Sequence, residues 1–157
     1  MERDLKIIPP EEYFFEIIKV SAEKRKIHTE PEDQMYLTNL LSKYIRATNF
    51  HRPIQTDSLE APPNTFAEMY LTAISADEYK KKELLQIVGD RSLYIVGYFP
   101  ESISKKIVSE DYYVAIGSAA YRNLHTINKK SALSKLYKRF SERFVEFANI
   151  LKDIRLR

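Results

Sequence analysis

The sequence contains no cysteine, no tryptophan and only three glycines in 157 residues. Without cysteine there is no disulfide framework, thiol nucleophile, iron–sulfur cluster or thiolate zinc site, and the composition fits a reducing compartment. The three glycines, Gly89, Gly97 and Gly117, fall in none of the spacings GxGxxG, GxxxxGK[ST] or GxSxG. Dinucleotide-binding, P-loop and α/β-hydrolase readings therefore have no sequence support. Long apolar runs are missing as well. The most apolar stretch, Leu84 to Phe99, carries Asp90 and Arg91 and is shorter than the roughly 20 residues that cross a bilayer, so no membrane insertion is expected. The opening residues MERDLKIIPP lack the cationic start and apolar core of a secretory signal, which makes the cytoplasm the expected location.

What is present is a chain 44% hydrophobic and 30% charged, long enough for a single domain over 1–157 with its own core. Its hydrophobic period is helical almost throughout. Pro9 and Pro10 followed by Glu11 and Glu12 suit a helix start, and the first helix should run to about Ile27. Thr29 to Glu32 has capping-box spacing before the stripe Leu37, Leu40, Leu41, Tyr44 and Ile45. Residues 49–64, with Pro53, Pro62 and Pro63, read as a long loop. The helical period then resumes at Phe66, and Ser75 to Glu78 offers a second capping box, so a break is slightly favoured over one helix through residues 65–99. Pro100 should end that stretch, and a short turn of helix is expected around residues 103–107. Ser109 can cap a further helix with a waist of small residues, Gly117 to Ala120, that admits a close neighbour. Over residues 129–157 the positions Leu133, Tyr137, Phe140, Phe144, Phe147, Leu151 and Ile154 form a heptad stripe, predicting one long amphipathic helix. The expectation is an all-α bundle of five to six helices with a buried central helix.

Metal and nucleophile chemistry find little footing. Di-iron bundles need Glu-x-x-His, but His28, His51 and His125 follow Arg25, Thr48 and Arg122 at that offset, and no HExxH occurs. No metal and no cofactor is expected. Ser102 to Lys105 matches the S-x-x-K tetrad, yet its companion motifs are missing, and the segment reads as a capping serine with solvated lysines. No catalytic residue is assigned.

Two features could carry function. First, Asp90 and Arg91 interrupt an apolar run, and a buried charge must be paired or hydrogen-bonded because leaving it bare costs several kcal/mol. Hydroxyls of Tyr94, Tyr113 or Tyr121, or a cation such as Arg122, could satisfy Asp90. The candidate ligand-binding set is Asp90, Arg91, Tyr94, Tyr98, Tyr113 and Tyr121, with Asp90 as base or cation anchor. Second, residues 129–157 hold nine basic against three acidic residues, a balance of +6, whereas the other 128 hold 16 basic and 19 acidic, a balance of −3. Lys135, Lys138, Arg139 and Arg143 are the candidate partner-binding residues on that basic helix, for an acidic protein or, less favoured, nucleic acid.

The segments GDRSLYIVGYFPES (89–102) and DYYVAIGSAAY (111–121) resemble those of small uncharacterised bacterial proteins. The resemblance implies a bacterial source and a stand-alone cytoplasmic domain, and brings no activity with it. The functional expectation is a non-catalytic helical interaction or regulatory protein that pairs with itself as a dimer or with another protein. The alternatives are a small-molecule binder or enzyme built on the Asp90 pocket, and nucleic-acid binding by the basic helix.

Overall fold

A computed structural model describes residues 10–49, 63–98 and 109–156. They form α1 (Pro10–Lys24), α2 (Pro31–Asn49), α3 (Pro63–Ser75), α4 (Glu78–Gly97), α5 (Glu110–Ile127), α6 (Leu133–Glu142) and α7 (Phe144–Arg155). Three of the seven begin on proline, whose missing N–H leaves nothing unsatisfied at the first helical position. The expected caps lie at the right boundaries but use different side chains. At α2 the Glu30 backbone N–H donates to Asp33 Oδ2 at 3.0 Å, and at α4 Asp77 accepts from the Lys80 N–H at 3.1 Å. The Ser75 hydroxyl instead turns back to the Leu71 carbonyl. Ser109 occupies the cap position of α5 without a side-chain capping bond. Beyond α1, Lys26 takes a left-handed φ of 58°, which lets the Ile27 N–H close onto the Ala22 carbonyl at 2.9 Å.

The described residues are all-helical, with seven helices where the sequence predicted five or six. The described residues within 65–99 form two helices, and those within 129–157 form not one helix but two, joined at Arg143. The physical reason lies in the core. A straight helix separates residues seven apart by about 10 Å along its axis, yet the Phe140 and Phe147 rings stack with centroids 4.2 Å apart. A bend between them brings both rings, with Phe144, into one buried layer. The heptad stripe is thus spent on the chain's own core from Tyr137 to Ile154, while Leu133 is left exposed. The predicted loop falls mostly, and the predicted turn at 103–107 wholly, outside the described residues.

The expected buried central helix is buried over only part of its length. From Val88 to Gly97 every residue of α4 is buried except half-buried Arg91, whereas its first turns are solvated. As a whole, α4 packs among α5, α3, α7 and α2. The small-residue waist of α5 admits its neighbours as expected: a Cβ at Gly117 would lie 2.6 Å from the Phe144 ring and 2.8 Å from the Ser92 Cβ. Polar pairs join helices distant in sequence. Arg139 of α6 grips fully buried Asp33 of α2, with Nη2 to Oδ1 at 2.7 Å. Asp153 of α7 accepts from Ser21 at 2.8 Å and pairs with Lys24 and Arg25 near α1. Those donors and cations hold the Asp153 carboxyl below its usual range.

Candidate functional site: a carboxylate gripped by two tyrosines

Asp90 lies where α4 turns from solvent into the core, only 6% exposed. Two phenols from other helices converge on one of its oxygens. Tyr36 of α2 donates to Oδ1 at 2.6 Å, and Tyr121 of α5 donates to the same atom at 2.7 Å. Gly89 makes the second contact possible, since a Cβ there would stand 2.9 Å from Cε1 of the Tyr121 ring. The phenols are themselves packed by rings: Tyr36 meets Tyr137 and Phe140 edge-on, and Tyr121 stacks on Tyr137 at 6.2 Å. Their positions are therefore fixed by the aromatic core rather than by the carboxylate alone.

Burial raises the Asp90 carboxyl from 3.8 to about 6, the largest influence upon it. The two phenol hydrogen bonds, the charge of Lys43 and the Gln86 side chain one helical turn earlier pull in the opposite direction. Both phenols, buried beside an anion, are pushed well above the ordinary tyrosine range and stay protonated donors. Among the described residues no lysine or arginine forms an ion pair with Asp90. At neutral pH the site holds a largely ionised, buried carboxylate whose nearest compensation is neutral hydroxyls and the through-space pull of Lys43.

That carboxylate lines an open pocket of ≈ 330 Å³. Tyr36, Asn39 and Lys43 contribute from α2, and Gln86 and Asp90 from α4. Leu40, Leu133 and Tyr137 complete the wall. Hydrogen-bonding groups and apolar surface thus sit side by side around one charged group, the usual make-up of a small-ligand site.

Of the residues the sequence nominated, Asp90 and Tyr121 come together and the others do not. Tyr94 is the middle ring of a stack with Tyr44 and Tyr98, at 5.2 and 5.6 Å. Tyr98 lies under the Arg155 guanidinium, and its carbonyl accepts from Arg155 Nε at 3.0 Å. Tyr113 packs edge-on against Phe66 and finds no partner for its hydroxyl among the described residues. Arg91 turns to Tyr44, whose phenol it holds down against the larger upward push of burial. Arg122 is exposed. The residues that do build the pocket beside Asp90, namely Tyr36, Asn39, Lys43, Gln86 and Tyr137, were not nominated. Gln86, one turn from Asp90 on the same helix, was the one that local spacing could have found.

The basic helix also resolves into separate roles. Arg139 binds Asp33 and Glu32, and Arg143 donates to the His28 carbonyl and to Glu146. Lys152 pairs with Glu110 of α5. Lys135 and Lys138 are exposed. Two of the nine basic residues in 129–157, Arg139 and Lys152, thus pair with acids elsewhere in the fold. No described helix is long and apolar enough to cross a membrane. Compared with known protein families, curated proteins and solved structures, the chain matches none.

Proposed function

We propose that this chain is a non-catalytic binding protein that holds a small polar molecule in the pocket above Asp90. The observation that supports the reading is a buried carboxylate, fixed by two tyrosines from different helices, that lines an open pocket and has no cationic partner among the described residues. A carboxylate whose only role is to fix helix register does not need to border a cavity. Binding, rather than turnover, is favoured because the described residues of the wall offer Asp90 no nucleophile or second acid–base group besides Lys43 and high-pKa phenols. The test is a thermal-shift screen of the full chain against small amines, acids, amino acids and neutral amides, run in parallel on Asp90→Asn. The reading requires compounds that raise the wild-type melting temperature and leave the variant unmoved. Equal responses from both proteins to every compound would reject it.

A second reading, docking of another protein or a second copy, is supported by Leu71 and Ile74. They lie three residues apart on one face of α3 and are 63% and 38% exposed, and Tyr79 at the start of α4 is 83% exposed. Light scattering of Leu71→Glu beside the wild type tests it: a monomer for both at high concentration counts against self-association.

A further inference from the structure

The chemical class of the ligand can be read from the charges that the pocket presents, and this step rests on the binding reading given above. Asp90 is 6% exposed and takes two phenol O–H groups at Oδ1, but no cation among the described residues. A buried anion that lacks a counter-charge is unfavourable, and a cation arriving from solvent would relieve it. Tyr36 and Tyr137 border the same space. A simple cation meets an obstacle, however. Lys43 borders the pocket too, is exposed, forms no ion pair among the described residues, and rests with Nζ 5.4 Å from the Tyr44 ring centroid. Its charge repels a ligand that is only cationic and attracts one that also carries an anionic end. The volume of ≈ 330 Å³ lies at the small end of ligand sites, which run from roughly 300 to 1,000 Å³.

We propose that the pocket takes a small zwitterion, such as an amino acid, with its ammonium group on Asp90 and its anionic group on Lys43. Asn39 and Gln86, both exposed at the rim, supply amide donors and acceptors for the groups between. Charge-assisted hydrogen bonds at both ends make the two contacts the main source of affinity.

Titration calorimetry of the full chain with two matched sets tests this: γ-aminobutyrate, butylamine and butyrate; and L-phenylalanine, phenethylamine and 3-phenylpropionate. In at least one set the zwitterion should bind about tenfold or more tightly than either truncated relative. Lys43→Gln, a change at an exposed position, should reduce the zwitterion to the level of the amine. Asp90→Asn should remove binding of both. An amine or an acid that binds as tightly as its zwitterion in both sets overturns the zwitterion class. If that binding is still lost in Asp90→Asn, the pocket reading survives the failure. No heat from any of the six compounds also overturns the proposal, and the thermal-shift screen then decides the pocket reading separately.

Discussion

Replacing Asp90 by asparagine should change how stability depends on pH. The carboxyl is raised from 3.8 to about 6 by burial, so between those values the folded state binds more protons than the unfolded one. Stability contributed by the protonated group is therefore complete below about pH 3.8 and is lost as pH rises through 6. At about 1.4 kcal/mol per pH unit, the gap amounts to about 3 kcal/mol. Asparagine keeps a carbonyl that accepts from Tyr36 and Tyr121 and cannot ionise. The unfolding free energy of Asp90→Asn relative to wild type should therefore rise by about 3 kcal/mol between pH 3.5 and pH 7. Carboxylates common to both proteins, Asp153 among them, cancel in that difference. Urea unfolding followed by helical circular dichroism at each pH supplies it. A difference that stays flat across the window, or that falls, would refute the assignment of Asp90 as a buried, ionising group.

Other consequences concern the frame around the site. Arg139→Ala leaves Asp33 buried and unpaired and should cost about 3 kcal/mol, read as a lower urea midpoint. Gly117→Ala gains about 1 kcal/mol of helix propensity but drives a methyl into the Phe144 ring and the Ser92 Cβ, so a net loss of about 1–2 kcal/mol is expected by thermal melting. Lys26→Gly relieves the left-handed backbone after α1 and should stabilise by about 1 kcal/mol, with no change in the Asp90 titration.

Those consequences also show what the sequence could and could not carry. Helix positions were legible because Leu37, Leu40 and Leu41, or Tyr137, Phe140 and Phe144, repeat at one-turn spacing and are indeed buried. The bend at Arg143 was not. No glycine or proline marks it, and it arises from stacking Phe140 on Phe147, a tertiary demand. Asp90 stood out as a charge in an apolar run, and Tyr121 was among its suggested partners. Tyr36 was hidden because it sits just outside the Leu37–Ile45 stripe and 54 residues from Asp90, so only the docking of α2 on α4 reveals it. Tyr94, at one-turn spacing on the same helix, was the more obvious choice, but its ring is taken by Tyr44 and Tyr98.

The central claim is that Asp90 anchors a small ligand, and amide chemical-shift mapping of the isotope-labelled full chain against amino acids and small amines tests it most directly. Shifts are expected to centre on Tyr36, Asn39, Lys43, Gln86, Asp90 and Tyr137 and to vanish in Asp90→Asn. Shifts that centre elsewhere, or that persist unchanged in the variant, would contradict it.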